Sequence, residues 1–197
     1  MTTAVTPHNN LVNLAHQKIA ARLSNGSIAI DATIGNGHDT LWLAEHVTPQ
    51  GLVYGFDIQV AALTATRHRL QNADLLKNIR LIQANHAELI QHIPLEHHGH
   101  IAACMFNLGY LPGADKNIVT QTDSTISALN AVLAILSPAG LISILAYPGH
   151  SGGDIETQAV NDWSAQLDRN EFTVSEYLST YQKPSAPKLL IIEKKSA

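Results

Sequence analysis

The sequence is nearly devoid of cysteine and has no long apolar run. Its single cysteine, Cys104, cannot form an internal disulfide, which favours a reducing compartment. No window reaches the ~18 apolar residues that a membrane-spanning helix needs. Residues 1–8 have neither the basic start nor the apolar stretch of a signal peptide. We therefore expect a soluble, cytoplasmic protein with no membrane partner.

Charged residues are also scarce, at 14% of the chain against 45% hydrophobic residues. This balance is typical of a globular protein with a buried core and excludes a disordered or fibrous chain. The formal net charge of −4 means that a nucleic-acid partner would need a local basic patch. From the length of 197 residues we expect one domain over 1–197, with an N-terminal helix at about 10–23 packed on it.

Hydrophobic periodicity divides the rest of the chain into short strands and longer helices. Seven segments predict strands: 27–33, 52–57, 79–83, 101–107, 141–147, 173–178 and 188–193. Five segments predict amphipathic helices: 38–46, 59–72, 88–92, 123–136 and 155–167. Strands separated by helices predict an α/β fold, namely a Rossmann-like, seven-stranded, mostly parallel sheet with helices on both faces. The last two strands follow one another directly, which predicts an antiparallel terminal hairpin.

The first predicted strand runs into the glycine-containing turn Asp31-Ala-Thr-Ile-Gly-Asn-Gly37. Gly35 and Gly37 permit a tight turn and a close approach of the backbone to a ligand. A dinucleotide motif would need a third glycine where Thr40 stands, and the Gly-Lys-Ser/Thr of a phosphate-binding loop is absent. The carboxylate of Asp31 at the strand end favours a cationic ligand without phosphate. S-adenosylmethionine (SAM), with its sulfonium and ammonium groups, fits this description.

A second carboxylate, Asp57, ends the next strand, where it can accept hydrogen bonds from both hydroxyls of a ribose. After the third strand, Asn85 and His86 lie where the edge of an adenine would be bound, because an amide both donates and accepts. The residues expected to bind the cofactor belong to the turn and to the following strand ends: Asp31, Thr33, Gly35, Asn36, Gly37, Asp39, Thr40, Asp57, Gln59, Asn85, His86 and Asn107.

The stretch 31–40 resembles the first motif of a known family of class I SAM-dependent methyltransferases, the rRNA methylase family, whose characterised members are tRNA 5-aminomethyl-2-thiouridine methyltransferases. The resemblance extends in the same order to 106–113, 147–153 and 186–193, and so covers nearly the whole chain. It implies SAM as cofactor and methylation of the aminomethyl group of 5-aminomethyl-2-thiouridine at the wobble position of tRNA. Thr33 departs from the broader class, in which many members have glycine; its hydroxyl can bond within the turn.

The fourth predicted strand ends in Asn107, which Leu108-Gly-Tyr110 follows. This order is similar to the Asn-Pro-Pro-Tyr signature of amine-directed nucleic-acid methyltransferases. Methyl transfer is an in-line displacement, so the protein must hold a neutral nitrogen lone pair ~3–3.5 Å from the methyl group. We hypothesise that the Asn107 side-chain oxygen and the Leu108 carbonyl accept the amine hydrogens, while Tyr110 packs on the substrate base. His150, after the fifth strand, is the candidate for relaying the proton.

Plainer interpretations of the same residues stay open. Asn107 can simply cap a turn, Tyr110 can pack within the loop, and His150 can be a structural residue. The scaffold also suits a small-molecule or protein amine methyltransferase, which the negative net charge favours, or a nucleotide-binding module without catalysis.

Partners and metals are indicated only weakly. The cluster His97-His98-Gly-His100 lacks a second, distant pair of ligands, so we expect no metal site. The segment 108–121 is a candidate substrate loop. The expected partner is the anticodon region of tRNA, and a nucleic-acid contact is expected near Lys183, Lys188 and Arg80 or Lys116. A homodimer would widen the binding face of so small a domain and is a further expected partner.

Overall fold

A computed structural model describes residues 6–8, 10–111, 113, 118–180, 183 and 185–196, and within these residues eight strands form one sheet. The strands are β1 Thr6–His8, β2 Ile28–Asp31, β3 Leu52–Asp57, β4 Ile79–Gln83, β5 Ile101–Leu108, β6 Leu136–Ala146, β7 Phe172–Ser179 and β8 Lys188–Lys194. The helices are α1 Leu11–Ala20, α2 His38–Val47, α3 Val60–Asn72, α4 Leu89–His92, α5 Thr122–Ile135 and α6 Gly153–Ala165. Short 3₁₀ helices lie at Leu76–Asn78, His86–Glu88 and Leu95–His97.

The sheet has the strand order β1-β7-β8-β6-β5-β2-β3-β4. Strand β8 is antiparallel to β6 and β7, and the other pairs are parallel, which confirms the predicted mixed sheet with its terminal hairpin. The chain winds from β2 outward to β3 and β4 and then returns to the other side of β2 as β5. The winding therefore reverses between β2 and β5, and this place is called the switch point of the sheet. Ligands of open α/β sheets bind beyond the carboxyl ends of the strands at the switch point.

Helices cover both faces of the sheet. Buried residues of α1, α2 and α3 join one apolar cluster, and those of α4, α5 and α6 join the other. Strand β8 supplies both clusters in alternation, with Leu189 and Ile191 on one face and Leu190 and Ile192 on the other. Because each such side chain is almost fully buried, it stabilises the fold by roughly 1.5–3 kcal/mol. The double burial explains why the strands read as nearly continuous apolar runs.

The seven predicted strands and the five predicted internal helices are all present, with shifted ends. Strand β6 begins five residues earlier than predicted, at Leu136, and includes Ala139 with a φ of 60°. Helix α1 ends at Ala20, and its N-terminus is capped by Asn10, whose side chain accepts from the Asn13 N–H at 3.0 Å. Strand β1 was not predicted, because three residues offer no period, and it pairs only with β7 at the sheet edge.

Candidate active site

A cavity of about 620 Å³ opens beyond the carboxyl ends of β2, β3, β4 and β5. This volume is typical of a pocket for a small molecule. Most of the predicted site residues line its wall: Thr33, Gly35, Asn36, Asp39, Asp57, Gln59, Asn85, His86, Asn107, Tyr110 and His150. The structure does not bring Asp31, Gly37 or Thr40 to that wall. Asp31 and Gly37 are buried within the turn and Thr40 is buried in α2, so none of them reaches the cavity, contrary to the expectation.

The turn between β2 and α2 needs both glycines. Gly35 and Gly37 have φ values of 54° and 74°, in the left-handed region that other residues rarely adopt. A Cβ on Gly37 would also collide with the side chain of Thr66 on α3. The close approach at Gly37 is therefore between α2 and α3, and not between backbone and ligand as the sequence suggested.

Asp31 stabilises the turn through buried hydrogen bonds. Its carboxyl group is fully buried and accepts hydrogen bonds from the Thr40 hydroxyl at 2.5 Å and the Thr33 N–H at 3.2 Å. Burial, reinforced by the negative charge of Asp39, raises the pKa of Asp31 to about 7. A buried carboxyl group of this kind joins the end of β2 to the start of α2.

Asp57 is the last residue of β3 and lines the cavity. One carboxylate oxygen accepts from the Gly35 N–H at 3.0 Å and the other from the Gln59 N–H at 2.9 Å. Burial raises the pKa of Asp57, and these backbone hydrogen bonds oppose the shift. Since each oxygen has a second lone pair, both remain able to accept a hydroxyl from a ligand in the cavity.

The far end of the cavity suits a flat, uncharged base. Asn85 accepts from the Ala87 N–H at 2.9 Å, which leaves its amide NH₂ as a donor. Burial lowers the pKa of His86 to about 4, so the imidazole is neutral at neutral pH. The Nε2 atom of His86 is buried without a hydrogen-bond partner among the described residues. Ile34, Phe56, Ile58 and Ala84 supply apolar wall beside these groups.

The charges on the cavity wall fit SAM. Among the residues that the structure describes, the cavity wall has two carboxylates, Asp39 and Asp57, and neither lysine nor arginine. A pyrophosphate would meet no cationic side chain there, whereas a sulfonium and an ammonium group would be stabilised by the carboxylates. This agrees with the choice of SAM over a dinucleotide.

Asn107 lies at the switch point, held at both its backbone and its side chain. Its N–H donates to the Thr33 hydroxyl at 2.7 Å, so the hydroxyl that replaces the usual glycine ties the turn to β5. Its side-chain Nδ2 donates to Asp39 Oδ2 at 2.7 Å, and Asp39 Oδ1 lies 2.7 Å from His16 Nε2. Because an ionised carboxylate only accepts, the Asn107 NH₂ faces Asp39 and its Oδ1 is left as an acceptor.

Asp39 stays ionised in this arrangement. Burial on its own would raise the pKa of the carboxyl group, but hydrogen bonds with His16 and Asn107 and the nearby histidine charges together lower it. The negative charge of Asp39 is therefore present at neutral pH, and the orientation of the Asn107 amide follows from it.

Tyr110 and His150 lie together at the mouth of the cavity. Their rings are 6.1 Å apart and nearly perpendicular, and Tyr110 is partly exposed. The His150 Nδ1–H donates to the Ser151 carbonyl at 3.0 Å, while Nε2 is buried near Gly109 and Gly153 with no partner among the described residues. Because Nδ1 is hydrogen-bonded to the backbone and Nε2 is buried, a proton relay through His150 would require the ring to turn.

Several wall residues were missed by sequence reasoning: Val12, His38, Ser124, Tyr147 and Ser185. Ile118, Val119, Thr120 and Gln121 also line the wall and belong to the segment 108–121, the candidate substrate loop. The supporting residue His16 was missed too. Val12 and His16 share one face of α1 by their four-residue spacing, but a local pattern does not say which part of the sheet that face meets. Within the segment 108–121, residues 112 and 114–117 lie outside the described part of the chain.

The residues predicted to contact RNA are dispersed. Lys188 Nζ lies 3.6 Å from a Glu176 carboxylate oxygen, and Arg80 is on the edge strand β4. Lys183 is exposed, and Lys116 lies outside the described residues. In the histidine cluster, His97 Nδ1 lies 2.7 Å from the Tyr54 hydroxyl, and no group of metal-binding side chains occurs in the described ranges. Those ranges also contain no helix long and apolar enough to cross a bilayer.

Comparisons with known proteins agree with this geometry. The family described as "Putative rRNA methylase" matches residues 53–193. A curated relative from Arabidopsis thaliana, "tRNA (mnm(5)s(2)U34)-methyltransferase, chloroplastic", is 34% identical over 92% of this chain and 68% of its own length.

Two solved structures are similar over nearly their whole length. A putative rRNA-methylase from Clostridium thermocellum superposes with a TM-score of 0.90 at 33% identity, covering 96% of this chain and all of that one. A putative methyltransferase from Streptococcus mutans, in complex with SAH, has a TM-score of 0.84 at 36% identity and covers 95% of this chain and 99% of its own. SAH is what SAM becomes when its methyl group has been transferred. The chain therefore belongs to the rRNA methylase family and is a SAM-dependent methyltransferase.

Proposed function

We propose that this enzyme transfers the methyl group of SAM to the primary amine of a 5-aminomethyl-2-thiouridine in the anticodon of tRNA. The observation that carries the proposal is the fixed amide of Asn107, which presents an acceptor oxygen at the switch point. The name of the Arabidopsis relative supports the choice of nucleoside. In the same proposal, nearly all of the chain forms one catalytic domain.

The cofactor would be held by groups along the wall. Asp57 would accept the ribose hydroxyls, and Asn85 would donate to the adenine, with His86 beside it. Asp39 and the turn residues Thr33, Gly35 and Asn36 would line the cationic end, and Gln59 would flank the ribose. When bound, SAM supplies an electrophilic methyl group on a positively charged sulfur.

The chain's own residues would prepare the amine. An alkyl amine has a pKa of about 10 in water, and the cavity's apolar wall would disfavour its charged form. Asn107 Oδ1 would accept an amine hydrogen and aim the lone pair. The Leu108 carbonyl already accepts from the Tyr147 N–H at 3.2 Å and has one lone pair left for a second hydrogen. As the new N–C bond forms and the C–S bond breaks, the electron pair stays on sulfur, and the surplus proton leaves the nitrogen for water.

The mouth of the cavity suits an unstacked base. Of the nine large hydrophobic residues that are exposed in the described ranges, five line this cavity: Val12, Ile58, Tyr110, Ile118 and Tyr147. Proteins bind single-stranded RNA bases by stacking them on aromatic side chains. Tyr110 and Tyr147 offer such surfaces next to the proposed reaction point.

Mass spectrometry of tRNA nucleosides tests the proposed function. The protein is incubated with SAM and tRNA that has the aminomethyl precursor at the wobble position, beside tRNA with an unmodified uridine. We expect a gain of one methyl group on the aminomethyl nucleoside only. Methylation of a small-molecule or protein amine instead, which the net charge of −4 favours, would select the alternative substrate class. SAM binding without any transfer would select a non-catalytic module.

A further inference from the structure

Helix α1 forms part of the wall of the active site. Val12 lines the cavity. His16, one helical turn later on the same face, is hydrogen-bonded to Asp39, which in turn accepts from Asn107. The family match begins at residue 53, so it says nothing about this helix. What α1 does for the reaction has to follow from its contacts.

Three side chains form a continuous hydrogen-bonded chain from α1 to the end of β5. His16 Nε2 lies 2.7 Å from Asp39 Oδ1, and Asp39 Oδ2 accepts from Asn107 Nδ2 at 2.7 Å. The side chains of His16 and Asp39 are only 21% and 13% exposed, so water competes poorly for these bonds. One carboxylate oxygen of Asp39 is hydrogen-bonded to His16 and the other to Asn107. The two hydrogen bonds together fix the plane of the carboxylate.

The ring of His16 is itself fixed. It stacks on Trp42 of α2 with ring centres 4.2 Å apart and planes 8° from parallel. On the same indole lies His46, with ring centres 4.0 Å apart. The stack holds α1 against α2, and it orients Nε2 toward Asp39.

We infer that His16 is a positioning residue for methyl transfer, which keeps the Asp39 carboxylate turned so that the Asn107 amide presents its oxygen to the substrate amine. This rests on the proposed function. Without His16, the Asp39 carboxylate can rotate, and the Asn107 amide that donates to it moves with it. The amide oxygen would then no longer point at the amine, and the lone pair that has to attack the methyl group would not be aimed. The substrate would still bind, but in an unreactive arrangement.

Two substitutions separate the hydrogen bond from the aromatic stack. His16→Phe keeps a ring against Trp42 but removes the donor, whereas His16→Gln removes the ring and keeps an NH₂ at about the place of Nε2. Gln17→Ala, on the exposed side of the same helix, is the matched control.

In single-turnover and steady-state assays on the aminomethyl tRNA, we expect His16→Phe to lower kcat by about tenfold to a hundredfold, the effect of a small misplacement of a reacting group. KM, the SAM dissociation constant and the unfolding temperature should stay close to wild type. His16→Gln should recover most of kcat, and Gln17→Ala should resemble wild type throughout. If His16→Phe keeps full kcat, or loses activity only in proportion to stability, His16 is a packing residue and the inference is wrong.

A second measurement does not depend on the substrate. In NMR spectra of ¹⁵N-labelled protein, the Asn107 side-chain amide is assigned by its loss in Asn107→Ala. We expect its two proton resonances to shift in His16→Phe and to stay near the wild-type positions in His16→Gln. Unchanged resonances in both variants would overturn the inference even if the enzyme methylates another amine. A wild-type enzyme inactive on the tRNA would overturn the proposed function alone.

Discussion

At the scale of single residues, the site divides into groups for the cofactor and groups for the amine. Asp57 contacts backbone donors of two segments and keeps free lone pairs toward the cavity, while Asn107 is fixed by Asp39 at the switch point. The two residues lie on the ends of different strands. Their substitutions should therefore have different kinetic signatures.

Asp57→Ala should weaken SAM binding by about tenfold to a hundredfold, because hydrogen bonds to a charged acceptor contribute roughly 1.5–3 kcal/mol. Isothermal titration calorimetry with SAM measures the effect. Gln83→Ala, at the exposed end of the neighbouring strand, is a control that should bind as wild type does. An unchanged dissociation constant for Asp57→Ala would remove this carboxylate from the cofactor site.

Asn107→Ala should have the opposite signature. The SAM dissociation constant should change by no more than a few-fold, whereas the rate of methyl transfer should fall by orders of magnitude, since the acceptor that aims the amine is lost. Rapid-quench single-turnover assays at saturating SAM give the rate. Full turnover in this variant would favour the plain interpretation of Asn107 as a turn residue.

Asp31 makes the stability of the fold depend on pH. Its pKa is about 7 in the folded protein and 3.8 in the reference state, so its contribution is complete below pH 4 and is lost as the pH rises through 7. In the wild type, ionisation of Asp31 should lower the unfolding free energy by about 2–3 kcal/mol between pH 5 and pH 8. Asp31→Asn has no group to ionise there and should lack this part of the pH dependence. Urea unfolding of both proteins at the two pH values measures this, with Asp154→Asn at an exposed site as control. Parallel pH dependences of wild type and Asp31→Asn would show that Asp31 is ionised throughout this range.

At the scale of elements, Glu156 joins the loop before α5 to α6. Its side chain is buried, and its two carboxylate oxygens accept from the Thr120 and Thr125 hydroxyls at 2.6 Å each. Thr120 lies on the cavity wall. The carboxylate therefore sets where that wall lies.

Glu156→Ala should lower the unfolding free energy by about 2–4 kcal/mol, because the buried Thr125 hydroxyl and the half-buried Thr120 hydroxyl lose their acceptor. Glu156→Gln, which keeps one acceptor oxygen, should lose less. Thermal unfolding followed by circular dichroism measures both variants. In kinetics, Glu156→Ala should raise the KM for the substrate more than the dissociation constant of SAM; equal effects would mean that the loop does not contact the substrate.

The sequence predicted the elements closely, because strands buried on both faces leave continuous apolar runs, and the helices between them have an amphipathic period. Strand β1 escaped prediction, since its place depends on pairing with a strand about 170 residues away. Asp31 was assigned to the ligand because a carboxylate at a strand end looks the same in sequence whether it faces the cavity or the turn. His16 was missed because its partners, Asp39 and Trp42, are brought to it only by the packing of α1 on α2.

At the scale of the whole molecule, the charge is unusual for a protein proposed to bind tRNA. The net charge is −4 with histidines neutral, but the chain has eleven histidines. His86, with its pKa lowered to about 4, stays neutral near pH 6. Each further histidine that binds a proton raises the formal net charge by one.

Affinity for tRNA should accordingly rise as the pH falls from 8 to 6, and its salt dependence should steepen, because more cationic groups meet phosphates. Filter-binding titrations at several KCl concentrations measure both. Affinity for SAM, which has no phosphate, serves as the control and should change less. A tRNA affinity independent of pH would mean that histidines contribute nothing to the RNA contact.

The stacking of His16 on Trp42 also gives the protein an optical property. The chain has two tryptophans, and the other, Trp163, is nearly buried and donates to Asn130 Oδ1 at 2.9 Å. The His16 ring covers one face of the Trp42 indole, and the emission of an indole depends on what surrounds it. Any event that lifts α1 away from α2 should therefore change the emission of Trp42 while that of Trp163 stays constant. Emission intensity thus reports, without any label, whether the first helix is seated.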